Sequence, residues 1–357
     1  MDTRATPPDG ANEVRYHGGN INAARRLFPN APEPWIDLST GINPVPYPIG
    51  AIAPDVWARL PEPSDQAALE AAARTAYGAG PLPEIVAAPG TQALIQWLPR
   101  IFPARRVGIL GFTYGEHEKC WRAAGADVTT VGALAELIAF DVGVVVNPNN
   151  PDGRMLAPDL LAQTAASLSE RGGLLIVDEA FMDALGPRNS LVPCLPDVGA
   201  VVLRSFGKIY GLAGLRLGFA VASAEAGGTL RSAIGPWAVS GPAIEIGRCA
   251  LMDVSWLTRT VLWLSDQANR LDRLLQAAGF TIVGGTPLFR LARHKDATAW
   301  FEQFARAGIL TRPFRTEPAW LRFGIPGAPV EWERLEAAIH SYRETYGLGM
   351  RSCEEVP

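Results

Sequence analysis

The chain has 357 residues, 48% of them hydrophobic, with 36 glycines, 30 prolines and a formal net charge of −4. At ~100–200 residues per domain this length fits two domains, and the apolar share supports a sizeable core, which excludes wholesale disorder. With no basic surplus or block, general binding to nucleic acid or to an anionic membrane is not expected.

The first ~30 residues are polar and proline-rich and contain His17-Gly18-Gly19-Asn20, followed by the turn-rich Ser39-Thr40-Gly41-Ile42-Asn43-Pro44. So much punctuation predicts an arm laid over a surface. Residues 65–77 are alanine-rich and periodic, a helix stopped by Gly78. Then strands and helices alternate: strand 84–88, helix 91–102, strand 105–111, helix 115–125, strand 126–131. The run VGVVV at 142–146 reads as a strand buried on both faces. A helix over 158–170 and strands at 174–180, 200–206 and 215–221 complete the series. Alternation of this kind predicts βαβ crossovers and a mainly parallel sheet between helical layers. A long amphipathic region at 243–278 and an α+β segment from Phe280 follow. The expected organisation is a large α/β/α domain over 41–235, and a smaller α+β domain formed by 236–357 with the arm 1–40.

No stretch reaches the ~18 uninterrupted apolar residues of a membrane helix, and the opening residues lack the apolar core of a secretory signal, so a cytoplasmic protein is expected. Cys120, Cys194, Cys249 and Cys353 are far apart, with no C-x-x-C pair. They read as ordinary thiols of a reducing compartment. The histidines, His17, His117, His294 and His340, show no helical metal spacing, so no protein-built metal site is expected.

In an open parallel sheet ligands bind beyond the carboxyl ends of the strands. There the sequence sets Gly90-Thr91-Gln92, Asn147-Pro148-Asn149-Asn150, Asp178-Glu179-Ala180-Phe181 and Arg204-Ser205-Phe206-Gly207-Lys208. Gly90-Thr91-Gln92 at a helix start offers backbone N–H groups and a hydroxyl to an anion. Ser205 and Arg216 add a hydroxyl and a guanidinium fork. Lys208 is the natural Schiff-base amine, and Asp178 can pair with a protonated ring nitrogen. Gly207-Lys208 is not a phosphate loop, since Ile209 follows it and Val202 stands where that loop needs glycine. Singly each element is weak; their joint order is the signal.

That order, with the segments NPNNPDG, VDEAF and SFGKIYGLAGLRLGF, resembles the pyridoxal-phosphate enzymes of the aspartate-aminotransferase fold, the class I/II aminotransferase family, over nearly the whole chain. The resemblance implies fold type I, a homodimer, and pyridoxal 5'-phosphate as cofactor. It implies Lys208 as the amine carrying the cofactor, Asp178 on the pyridine nitrogen and Asn150 on the ring hydroxyl and near the substrate. Gly90, Thr91, Gln92, Ser205 and Arg216 would hold the phosphate, Tyr114 would stack on the ring, and Arg322 would grip the substrate carboxylate. Two positions depart from the family: Phe181 replaces the usual Tyr, removing one hydrogen bond to the ring hydroxyl, and Leu60 replaces a Tyr that reaches the partner's cofactor phosphate.

Within the family, His17-Gly18-Gly19-Asn20, the Ser39–Pro44 segment with Asn43, Phe181 and Trp320–Gly327 look like the cobalamin-pathway threonine-phosphate decarboxylases. By that resemblance the substrate is a small phosphorylated amino acid, its phosphate held by His17 and Asn20. The histidinol-phosphate aminotransferases share the later motifs but not the arm, so transamination of a phosphorylated amino compound is the alternative.

Overall fold

The computed structural model describes residues 18–346, which divide into two compact units, 45–264 with 285–288, and 18–44 with 265–284 and 289–346. In chain order the N-terminal elements are α1 (Ile21–Leu27), β1 (Ile36–Asp37), α2 (Pro54–Ala58) and α3 (Pro63–Tyr77). Then come β2 (Glu84–Ala88), α4 (Thr91–Ile101), β3 (Arg106–Leu110), α5 (Gly115–Ala123), β4 (Asp127–Val131) and β5 (Val142–Val146). α6 (Pro158–Ser169), β6 (Leu174–Asp178), β7 (Ala200–Ser205), β8 (Gly218–Ala222), α7 (Ala224–Ile234) and α8 (Gly241–Met252) follow. The rest comprises α9 (Val254–Ala277), β9 (Thr281–Thr286), β10 (Phe289–Arg293), α10 (Ala297–Arg306), β11 (Ile309–Leu310), β12 (Arg312–Pro313), β13 (Trp320–Gly324) and α11 (Pro329–Tyr346).

The first unit is built on a seven-stranded sheet of order β2-β8-β7-β6-β5-β3-β4. The pairs β3–β4, β3–β5, β5–β6 and β6–β7 are parallel, whereas β8 runs antiparallel to both β2 and β7. Residue alternation gives the sheet two apolar faces. Val86, Ile109, Val144, Ile176, Leu203 and Ala220 face Leu94, Ile95 and Leu98 of α4, Trp121 of α5 and Leu230 of α7 in one core cluster. On the opposite face Tyr77 of α3 meets Phe219 edge-on at 5.6 Å, and Gly143 leaves room for Leu168 of α6. Each such fully buried aliphatic side chain contributes about 1.5–3 kcal/mol, which is why the β-branched runs are sandwiched.

The second unit holds a four-stranded sheet of order β12-β13-β10-β9, with β13 antiparallel to β10 and β12. β1 pairs in parallel with β11, Ile36 opposite Ile309.

Three features differ from the sequence reading. The compact unit bearing the large sheet extends to Leu264, not 235, because α8 packs along α3 and so belongs with the sheet. The amphipathic region 243–278 is two helices, broken at Asp253, whose Oδ1 accepts the Trp256 N–H and starts α9. The arm contains a helix, α1, capped by Asn20.

Candidate active site

Strand register gathers the carboxyl edge of the large sheet. Ala88 pairs with Gly218 and Gly218 with Ser205, while Val146 pairs with Asp178 and Asp178 with Leu203. A cavity of about 160 Å³ opens there, lined by Gly90, Thr91, Gln92, Tyr114, Asn150, Asp178, Ser205, Lys208 and Arg216 together with Phe181. The reversed strand β8 matters here, since its N-terminal end brings Arg216 to the edge where the parallel strands finish.

One end of the cavity is an anion cradle. Gly90 caps α4 at φ +85°, a conformation that glycine adopts without strain, and offers no side chain. A Cβ at Gly90 would lie 2.7 Å from Arg216 Nη2, and one at Gly218 would lie 2.5 Å from the Thr91 nitrogen. Glycine at both positions therefore lets a guanidinium and the first turn of α4 draw together. Arg216 has φ +56°, and its Nη1 donates to the Ala213 carbonyl at 3.2 Å, which aims the fork. With the hydroxyls of Thr91 and Ser205 at hand, this end suits a phosphate.

The other end holds a carboxylate. Asp178 is 3% exposed; its Oδ1 accepts the Ala180 N–H and its Oδ2 lies 2.9 Å from His117 Nε2, itself fully buried. Next to the lining residue Asn150, the buried Asn149 bonds to the segment that carries Tyr114. Its Oδ1 accepts from Thr113, and its Nδ2 donates to the Phe112 carbonyl and to Asp152. The segment carrying Tyr114 is thereby locked to the one carrying Asn150.

Lys208 lies in the loop between β7 and β8, with Nζ 5.6 Å from the centre of the Phe181 ring. Close by, Tyr210 stacks on Phe206 at 4.4 Å and on Trp256 at 5.7 Å, and its carbonyl accepts the Tyr47 N–H. Burial, then the Asp183 carboxylate, pushes the Tyr210 hydroxyl above its ordinary range. Beside the site Arg204 is 2% exposed, donates to Glu179, Ser190 and Asp183, and lies over the Tyr77 ring. Burial would lower the Arg204 pKa, but the Asp183 and Glu179 carboxylates more than reverse this. Burial raises that of Glu179, against the pull of Arg204. This network ties β6 to β7, the strands that end in Asp178 and Ser205.

The sequence matches the profile of the class I and II aminotransferases over residues 51–340. The chain belongs to this family. It is 43% identical over 331 residues to a threonine-phosphate decarboxylase of Pseudomonas aeruginosa, covering 92% of this chain and 98% of that protein. It is 44% identical over 331 residues to a threonine-phosphate decarboxylase of Sinorhizobium sp, covering 90% and 97%. Among solved structures, the histidinol-phosphate aminotransferase of Sinorhizobium meliloti in complex with pyridoxal-5'-phosphate matches with a TM-score of 0.80 at 18% identity, covering 97% of this chain and 99% of that one. The L-threonine-O-3-phosphate decarboxylase of Porphyromonas gingivalis matches with a TM-score of 0.70 at 19% identity, covering 87% and 99%. At these identities the structural likeness is one of fold.

For this aminotransferase-family chain, sequence reasoning missed His117. The signal was available, because His117 follows Tyr114 by three residues at the start of α5, and residues so spaced share a helix face. The two rings are 6.2 Å apart and nearly perpendicular.

The remaining expected residues lie in the second unit, around Ser39. Gly19 N–H donates to Ser39 Oγ at 2.7 Å, a Cβ on Gly18 would stand 2.4 Å from the Ser39 carbonyl oxygen, and Arg322 Nη2 donates to that oxygen at 2.7 Å. Arg322 is 4% exposed, with its guanidinium 5.2 Å from the centre of the Phe289 ring. Asn43 is also buried. Gly324 packs on the Thr40 carbonyl oxygen and Gly327 on Pro44, so the motifs at 39–44 and 320–327 are two halves of one structure. Asn20 Oδ1 accepts the Ala23 N–H at 3.0 Å as the cap of α1, which leaves its amide nitrogen as the donor end. His17 lies outside the described residues.

Proposed function

We propose that this protein is a pyridoxal-phosphate-dependent threonine-phosphate decarboxylase, converting L-threonine O-3-phosphate to (R)-1-aminopropan-2-yl phosphate and CO₂ for cobalamin biosynthesis. The observation that carries the reading is 43–44% identity, over nine-tenths of the chain, to two proteins with that activity. The donor set supports it. A glycine-lined cradle with Arg216 fits the cofactor phosphate, and the buried Asp178 fits a protonated ring nitrogen. Asn150 fits the ring hydroxyl, where Phe181 adds no second hydrogen bond, and the Tyr114 ring fits a stacking platform.

Bound there, pyridoxal phosphate supplies an aldehyde for covalent capture of the substrate amine and an electron-poor ring that takes up charge from the α-carbon. Lys208 Nζ, which lines the same cavity, would be the amine that holds the aldehyde group and, as a free amine, would carry a proton to the α-carbon. Asp178, oriented by His117 and the Ala180 N–H, keeps the ring nitrogen protonated. Arg322 binds the substrate carboxylate, with Asn43 in the 39–44 segment packed against its own, and His17 and Asn20 bind the substrate phosphate beside Gly18 and Gly19. Binding energy from the remote phosphate sets which bond at the α-carbon is broken: the carboxylate leaves as CO₂ and the Lys208 proton replaces it.

We read the protein as a cytoplasmic homodimer. No helix among the described residues is long and apolar enough to cross a membrane. Trp57, Leu60 and Trp237 of the large-sheet unit are each more than half exposed, large apolar side chains that a second copy would cover. Incubating purified protein with threonine phosphate, with and without 2-oxoglutarate, tests the reaction. CO₂ release is the expected outcome; keto acid without CO₂ would establish an aminotransferase instead.

A further inference from the structure

The cofactor-site wall contains a carboxylate that the mechanism above does not use. Glu116, in the first turn of α5, is 6% exposed. Its Oε2 accepts Gln92 Nε2 at 2.9 Å, and Lys119 Nζ lies 3.4 Å from its Oε1. Gln92 Oε1 in turn accepts the Tyr114 hydroxyl at 3.3 Å. Gln92 and Tyr114 line the cavity; Glu116 and Lys119 line a separate groove between α4 and α5. The chain of contacts therefore runs from an exposed ammonium, through a buried carboxylate, to the aromatic wall of the site.

Its direction follows from chemistry. A carboxylate only accepts hydrogen bonds, so Glu116 must face the NH₂ end of the Gln92 amide. That leaves the amide oxygen for Tyr114, whose hydroxyl must then donate its proton to Gln92 and can only accept from anything else. The burial of Glu116 is offset by Lys119 and Gln92, and its place in the first turn puts it at the positive end of α5. We infer that Glu116 is a positioning residue: it fixes the Gln92 amide, and through it the direction of the Tyr114 hydroxyl and the tilt of the Tyr114 ring. Gln92 then serves an anion through its backbone N–H, its side chain being a strut. The inference rests on the cofactor reading proposed above.

Glu116→Gln keeps the shape but lets either amide orientation satisfy position 116, so the lock is lost. The test is a cycle of Glu116→Gln, Tyr114→Phe and both together. It reads the Kd of the apoprotein for pyridoxal phosphate, the induced circular dichroism of the bound cofactor, and kcat and KM for threonine phosphate. Glu116→Gln should weaken cofactor binding about fivefold and reduce the induced band, but less than about twofold once Tyr114 is Phe. The same change in both backgrounds, or none in either, overturns the inference. If Glu116→Gln lowers the apoprotein melting point, the cycle of Gln92→Met with Tyr114→Phe decides instead. Non-additive effects on Kd support the strut, and additive ones overturn it. A wild-type protein that binds the cofactor without releasing CO₂ would sink the decarboxylase reading yet leave this cycle readable.

Discussion

The large-sheet unit and the smaller unit assemble their functional residues by different means. In the first, chemistry sits where strands stop, and the β-ladder sets the spacing: Ala88, Gly218 and Ser205 are neighbours because the register makes them so. In the second, the cluster around Ser39 depends on glycines that let main chains touch, and Arg322 reaches a carbonyl 283 residues away in sequence. A ladder built from many small contributions tolerates the loss of a side chain better than a contact made through a missing Cβ.

The comparison can be broken at several points, beginning with the largest effect. Lys208→Ala should cut CO₂ release by about 10³-fold or more and abolish the visible cofactor absorbance near ~420 nm, a property of the cofactor bound through that amine. Retention of the band would place the amine elsewhere. Arg322→Lys should lower kcat/KM for threonine phosphate by about 100-fold, mostly through KM, while the Kd for pyridoxal phosphate moves less than about twofold. A matching loss of cofactor affinity would erase the distinction between the units. Gly18→Ala should cost about 1–3 kcal/mol in a denaturant titration, because its Cβ meets the Ser39 carbonyl, with cofactor binding unchanged.

The smallest effect is a pH dependence in the second unit. Burial lowers the His294 pKa; the ring packs on Phe280 and Trp300, and its Nδ1 accepts the Asp296 N–H. The unfolded chain therefore takes up this proton more readily than the folded one. The contribution is present above the ordinary value of 6.5 and is lost as pH falls below it. The melting temperature should drop slightly between pH 7.5 and pH 5.5 by ~1–2 °C, and His294→Gln should flatten that difference.

How far the sequence could be read follows the same division. The strands at 142–146 and 200–205 are legible because burial on both faces demands unbroken apolar runs, and the residue after each strand is then a candidate by position alone. Gly90, Asp178 and Lys208 were accessible that way. The Glu116–Gln92 contact was not, since it joins first turns of two helices 24 residues apart and no periodicity connects them. Nor was the boundary beyond 235, because α8 looks like any amphipathic helix until its partner α3 is known. The arm's Gly18-Gly19-Asn20 could be seen as a motif, but its packing against Ser39 could not. Asn20 shows the difficulty, as a capping residue and an anion donor look alike in sequence.

The pairing of Ser205 with Gly218 has one more consequence. It closes both ends of the loop that carries Lys208, and the aromatic stack at Tyr210 clamps that loop part-way along. The amine is thus a lever on a fixed pivot. Any displacement of the Lys208 amine must then come from rotation about its own side-chain bonds, because the main chain on either side of it is held by the strand pairing and by the stacked rings.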